Sequence, residues 1–470
     1  MRTNTSDESL PLVGTFTMAD YHIPLQLFSL LNFASVSAGC VLTWSSPIIT
    51  KLTKTGERIL ITEDQGAWLS SLVAVGASLG PFVAGCTIDK IGRKWTIIAD
   101  MILFLASWFI LAYFTLIYWM YFARILAGIA TGIIFTVVPM YVAETVPIDL
   151  RETLGSLLQI FLYIGSLMSY AIGPFISYVN FNVISAVIPL ICIITFIRSP
   201  ESPFFLLYKN RKQEAFEALE WLRNCHEKIL IQTEITDILA SIKGTRQNSG
   251  SIKVLFSEKF NCKSLYYSCA LVFFLQSSGI NVVLFYGETI FKATGSVLPP
   301  NIPPIIIGIV MTLAAGAVTP IVKIFGMKNL LCFSAIGEIV GLGVLGFYFF
   351  LEDNHKDVSE INWLPITSLI IFVIAYCMGF GAFVWVIIAE LFPGDLRAIA
   401  SAITTSFCWF LCFIYTRFFS ILADNLGQSM VFWMFGVFCF FALIFVIFQL
   451  PDIEGKSFQK IQELIKGGKK

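Results

Sequence analysis

"AETVPIDLR" at residues 143–151 returns as "AELFPGDLR" at 389–397. Six of the nine residues are identical, 246 positions apart, and each copy closes a long apolar stretch. Pro147 and Pro393 stop the preceding helix. Each phrase therefore sets a carboxylate at a helix end and a guanidinium seven residues on: Glu144 with Arg151, and Glu390 with Arg397.

The surroundings say what solvent that helix meets. Of 470 residues, 57% are hydrophobic and 13% charged, with mean hydropathy +0.79. A soluble chain carries roughly a quarter charged residues, so this is a membrane chain. Net charge is zero, which gives no electrostatic case for nucleic acid. The eleven cysteines show no metal spacing and most lie inside apolar runs, as small packing residues do. No metal, cofactor or nucleophile–base set is expected. The three histidines lie outside the apolar windows, and enzyme activity is not expected.

Windows of about 20 apolar residues, enough to cross a bilayer, fall near 25–47, 66–88, 95–114, 118–142, 152–174 and 180–197. Six more fall near 265–288, 303–325, 329–350, 364–388, 397–420 and 428–449. The predicted fold is all-α, with twelve transmembrane helices in two six-helix bundles. Residues 1–24 form an N-terminal tail, 25–197 the first bundle, 198–263 a helical linker, 264–450 the second bundle and 451–470 a C-terminal tail. The linker alone holds eleven of the 31 lysines and arginines. The positive-inside rule therefore places it, and both termini, in the cytosol. Within it Phe216, Leu219 and Leu222 recur every three residues and predict a short amphipathic helix; Ser241–Ser251 reads as a connector.

Other features recur in step with the opening phrase. "DKIGRK" (89–94) follows span two and "KIFGMK" (323–328) follows span eight; "PESP" (200–203) follows span six and "PDIEG" (451–455) follows span twelve. Three features in one order argue for a duplicated six-helix unit, the plan of carriers that bind solute at the midplane between repeats. The rim charges Asp89, Arg93, Lys94, Glu144, Arg151, Glu201, Glu390 and Arg397 then read as an inner gate. A plainer account is solvated charge that only sets topology, but positive-inside bias demands the bases and not the acids beside them. Breaking a desolvated pair costs about 3–5 kcal/mol, enough to shift a two-state population. Charge pairs joining the halves here would favour an outward-open state.

The ordered set "GCTIDKIGRK", "RILAG", "PMYVAE", "LRETLG", "PESP", "SSGIN" and "AELFPGDLR" resembles the sugar-porter branch of the major facilitator superfamily over nearly the whole chain. Within that branch the chain is most similar to insect facilitated trehalose and hexose transporters. The resemblance implies alternating access, a sugar substrate, the plasma membrane and a protein that works as a monomer in the lipid bilayer.

Sugar recognition needs several hydrogen bonds and aromatic faces. Few span residues qualify: Gln159, Gln276, Asn281, Trp385 and Trp409. Gln276 and Asn281 would diverge by roughly 140° on a regular helix; Gly279 between them offers a place to unwind and turn both toward one cavity. Tyr286 lies where it could cover the site from outside. The plainer roles are helix–helix glue for the amides and packing for the indoles. The resemblance implies sugar contact for Gln159, Gln276, Asn281 and Trp385. It also marks departures. Leu275-Gln276 replaces a tandem glutamine, Met311 stands for an asparagine, and Gly381–Trp385 lacks two prolines. Cys377 and Cys408 stand where polar residues are frequent. These changes leave room for a sugar sensor that does not transport, or for a carrier of another small organic solute.

Span one contains no Asp or Glu, which argues for a uniporter. Asp100, Arg124 and Glu338 are intramembrane charges and candidates for function. Arg124 heads a small-residue face with Gly128 and Gly132, where helices pack closely.

Overall fold

A computed structural model describes residues 22–53, 59–224, 228–247, 252–295, 298–454, 456 and 458–467. The side chains of 22–31, 148–156, 243–247, 394–395 and some single positions also lie outside that description. Most of the expected N-terminal tail, the end of the Ser241–Ser251 connector, and the Arg151 and Lys323 side chains are therefore outside it. No strand occurs among the described residues.

The first half starts with span one, made of α1 (His22–Thr43) and α2 (Ser45–Leu52), parted at Trp44. Spans two to six are α3 (Glu63–Ile91), α4 (Arg93–Tyr113), α5 (Ile117–Thr145), α6 (Ile148–Ile172) and α7 (Tyr178–Phe196). The linker folds as α8 (Pro203–Tyr208), α9 (Lys212–Arg223), α10 (Lys228–Gln247) and α11 (Ile252–Ser257). In the second half, α12 (Lys259–Ser277) and α13 (Ile280–Ala293) share span seven. Then follow α14 (Ile302–Phe325), α15 (Met327–Asp353), and α16 (Leu364–Met378) with α17 (Phe380–Glu390) as span ten. The series closes with α18 (Gly394–Leu426), α19 (Gln428–Phe448) and the short α20 (Phe458–Gly467). Among the described residues, ten helical units are long and apolar enough to cross a membrane, and shorter apolar windows in α6 and α14 supply the other two. The chain is a multi-pass, all-helical membrane protein of twelve crossings.

Local chemistry sets the helix ends. At the start of α3, Thr62 and Gln65 form a reciprocal capping box, with N···O distances of 3.0 and 3.2 Å. Gly92 and Gly326, both at positive φ, turn the chain sharply between spans two and three and between spans eight and nine.

Packing follows the membrane rule that small residues let backbones approach. A Cβ on Gly128 would collide with the Val73 carbonyl oxygen, and one on Gly132 with that of Ala77, so α3 and α5 touch backbone to backbone. Arg124, one turn before Gly128, is fully buried. It donates to the carbonyls of Leu69 (2.8 Å) and Val41 (2.9 Å) and lies 4.8 Å from the Trp44 ring centroid. The residue thus pins spans one, two and four together through carbonyl oxygens and an indole face. Large apolar side chains such as Phe82, Phe109 and Phe440 point outward, as suits a hydrocarbon solvent.

The linker has its own small core, in which Leu206, Leu207, Ala215, Leu219 and Ile231 meet. The helix expected around Phe216, Leu219 and Leu222 is α9; Leu219 and Leu222 are buried and Phe216 packs at the edge of that core.

Candidate functional site

The chain crosses span seven in two pieces, and the junction builds the polar centre of the interface. α12 ends at Ser277, Gly279 turns at φ +78°, and α13 begins at Ile280. A Cβ on Gly279 would meet the Phe435 ring at 2.5 Å, so glycine serves both the left-handed turn and the close approach. The break brings Gln276 and Asn281 together: Asn281 Nδ2 donates to Gln276 Oε1 at 2.7 Å. The Gln276 amide nitrogen in turn donates to Cys408 Sγ at 3.1 Å. Beside them the Ser277 and Tyr415 hydroxyls pair at 2.6 Å.

Next to Cys408, Trp409 is buried and packs across the interface on Phe135 of the first half, ring centroids 5.8 Å apart. Gln159 lies on α6, half-buried, one turn before Tyr163, whose hydroxyl has Cys377 on α16 as an electrostatic neighbour. Trp385 is half-buried on α17. The structure thus gathers Gln276 with Asn281, and Gln159 with Tyr163 and Cys377. Tyr163 went unmarked in the sequence because a tyrosine in an apolar run looks like core. Cys408, read as an apolar replacement, in fact accepts the Gln276 amide, while Cys377 lies beside the Tyr163 hydroxyl.

Away from the linker the halves are fastened to each other. Ser45 donates to the Phe285 carbonyl (3.1 Å), the Glu288 N–H donates to Ser46 Oγ (3.0 Å), and the Tyr170 hydroxyl donates to the Leu284 carbonyl (2.7 Å). Tyr286 is buried here, its hydroxyl on the Thr416 carbonyl at 2.9 Å and its ring 5.2 Å from that of Phe419. Arg417 on α18 bonds Asp64 on α3 at 2.6 Å and lies 4.5 Å over the Trp68 ring, which also packs on Phe413. Sequence reading passed over Arg417 because it stands near the end of an apolar window, where a long basic side chain can reach water.

On the linker side the charges are organised within each half. Arg93 bonds Glu144 at 2.8 Å and lies 5.3 Å from the Phe205 ring centroid; the other oxygen of Glu144 accepts from the Ser202 hydroxyl. Glu201 Oε1 accepts the backbone N–H groups of Arg93 (2.9 Å), Lys94 (3.0 Å) and Ser202. It therefore sits on the N-terminus of α4, where a negative charge is favoured. Burial pushes the Glu201 carboxyl above its ordinary range, and those three N–H groups pull it back down.

The second half repeats the device. Glu454 of "PDIEG" accepts the Met327 N–H at 2.7 Å, on the N-terminus of α15. No arginine accompanies it, because Met327 stands where Arg93 stands in the first half. Glu390 has Arg397 and Glu454 as electrostatic neighbours, while Asp89 and Arg397 are exposed. Arg223 anchors the linker by donating to the Thr145 carbonyl (2.8 Å) and pairing with Glu234 (2.6 Å). Among the described residues no rim ion pair crosses between the halves. The described contacts that join the bundles lie at the midplane and on the opposite side, and the Arg151 side chain lies outside the described residues.

With that geometry in hand, comparison with known proteins is direct. A family model described as "Sugar (and other) transporter" matches residues 37–465. The facilitated trehalose transporter Tret1 of Bombyx mori is 31% identical over 439 residues, covering 93% of this chain and 86% of that protein. Tret1 of Anopheles gambiae is also 31% identical over 93% of this chain, but the chain spans only 55% of that longer relative. The major facilitator superfamily proton:xylose symporter XylE, bound to 6-bromo-6-deoxy-D-glucose, superposes with a TM-score of 0.77 at 21% identity, covering 95% of this chain and 100% of that one. Inward-open XylE from E. coli gives 0.77 at 20% identity, with 93% and 99% covered. The twelve-helix architecture is that of this superfamily, whose members here are transporters and not enzymes. By the match over most of its length, the chain belongs to the sugar (and other) transporter family.

Proposed function

We propose that the chain is a facilitative carrier, a uniporter, of trehalose or a hexose such as glucose, working by alternating access. The Gln276–Asn281 amide pair at the broken span seven carries this reading. Two amides, pre-oriented by one glycine, offer donors and acceptors where the two bundles meet, with the Trp409 indole next to Cys408 and the Trp385 indole on α17 as candidate apolar faces for a sugar ring. Trehalose transport by the relatives supports the substrate class. The absence of any acid in residues 25–47 supports uniport. In this reading the fastened side faces outward and the linker side faces the cytosol, in the plasma membrane and with both termini inside. The monomer suffices, since both bundles of the cavity come from one chain.

A second reading, a carrier of a less polar solute, is favoured by one observation: the Gln276 amide is already spent on Cys408 and Asn281. Uptake of labelled trehalose and of glucose into cells expressing the protein, with and without an imposed proton gradient, separates the two. Saturable uptake indifferent to the gradient supports the sugar uniporter. No uptake of either sugar, with the protein present at the surface, overturns it in favour of the other solute.

A further inference from the structure

Span ten is broken, and no proline breaks it. α16 ends at Met378 and α17 begins at Phe380, with Gly379 at φ −133°, ψ −88° between them. Helix breaks need an identifiable cause. Here the break is held from the neighbouring α15. A Cβ on Gly379 would collide with the side chain of Ser334, so the two helices touch at that point. The Phe380 N–H, which the break deprives of a regular helical partner, donates to Ser334 Oγ at 3.3 Å. Ser334 Oγ donates in turn to Glu338 Oε1 at 2.9 Å, and Cys439 Sγ on α19 donates to Glu338 Oε2 at 3.3 Å. Ser334, Glu338 and Cys439 are each 1% exposed.

The direction of these bonds is what matters. A serine inside a helix ordinarily donates back to the carbonyl four residues earlier, here Leu330. Ser334 instead donates forward to Glu338, and this leaves its lone pair aimed at the Phe380 N–H. Without an acceptor at 338 the Ser334 side chain is free to change rotamer, donate to the Leu330 carbonyl and carry its oxygen away from the Phe380 N–H, which releases the break.

We propose that Glu338 is a positioning residue, which acts through Ser334 to fix the break in span ten and so the placement of α17, with Trp385 and Glu390 on it. The link from α17 to solute binding rests on the carrier reading above; the link from Glu338 to the break does not.

The test measures the break itself. Spin labels at Ile371 on α16 and Val386 on α17, both 42% exposed, are introduced into the full chain with the accessible native cysteines replaced by serine. Their distance distribution is measured in nanodiscs by pulsed electron paramagnetic resonance. Glu338→Gln keeps an acceptor for Ser334 and is expected to reproduce the parent distance. Glu338→Leu and Ser334→Ala are expected to move the distance toward the ~22 Å axial separation of an unbroken 15-residue helical step. The double variant should move it no further than either single change, as for two members of one relay. Ser334→Ala keeps the test decisive should the leucine variant not fold. An unshifted distance in folded Ser334→Ala, a shift in Glu338→Gln equal to that in Glu338→Leu, or additive shifts would each overturn the proposal. Under the carrier reading, Glu338→Leu and Ser334→Ala should also raise the uptake KM about tenfold, with Glu338→Gln near the parent value. Shifted distances with an unchanged KM would uphold the hinge and remove α17 from solute binding.

Discussion

Arg417→Gln should open the side of the molecule opposite the linker. Arg417 acts twice across the bundle interface, through its 2.6 Å bond to Asp64 and its position 4.5 Å over the Trp68 ring. The Asp64 side chain is 65% exposed, so the ion pair has the strength of a surface pair, about 0.2–1 kcal/mol. The Arg417 side chain is itself only 12% exposed, so the cation–π contact adds about 0.5–2 kcal/mol, between the exposed and desolvated limits. Arg417 Nη1 is buried without a partner, a cost that the substitution removes, so the sum stays within about 1–2 kcal/mol. That corresponds to about 5- to 30-fold in the population open on that side. Asp64→Asn removes the ion pair alone and is limited to about fivefold.

Native Cys408, buried beside Gln276, reports the opening. Its rate of modification by a membrane-impermeant thiol reagent, applied from the fastened side and read by mass spectrometry of its peptide, follows the open population when opening is fast relative to labelling. The expected order is Arg417→Gln above Asp64→Asn above the parent chain. High salt should erase the difference between Asp64→Asn and the parent, since surface pairs are screened. Equal rates in all three chains, or a larger effect from Asp64→Asn than from Arg417→Gln, would refute the reasoning.

Three further outcomes are expected. Gln276→Ala or Gln159→Ala should raise the KM for the transported sugar about fivefold per lost hydrogen bond of about 1 kcal/mol, with normal yield of folded protein; an unchanged KM would remove that residue from the cavity. Gly128→Val should abolish recovery of a monodisperse protein by size-exclusion chromatography, since the added side chain has only the Val73 backbone to enter; Gly85→Ala, where a Cβ meets nothing within 4 Å, should be recovered like the parent. A protonophore should leave the initial uptake rate unchanged, and a fall of severalfold would place a proton-coupled acid in the cycle.

Much of the architecture was readable because the membrane enforces it. Twelve apolar windows are dictated by the length of a bilayer crossing, and a duplicated rim phrase marks the same helix end in each half. The Gly279 break was readable because one glycine between two amides has few other uses. The break at Gly379 was not. Its cause lies on another helix, in the close contact with Ser334 and in a bond aimed by Glu338, and neither leaves a pattern along span ten. The Asp64–Arg417 contact also escaped, because it joins residues 353 positions apart that each look like an ordinary helix-end charge. Cys408 misled in a subtler way: a thiol in an apolar run signals packing, and only the fold shows an amide directed at it.

The substitution of Met327 for the arginine that its counterpart Arg93 provides has a mechanical outcome. In the first half one arginine ties the beginning of span three to the end of span four. In the second half a lone carboxylate tethers span nine to the tail that follows span twelve, and span ten is left to bend at its own joint. The two halves are thus tied differently at the rim, and equivalent mutations in them should not have equivalent consequences.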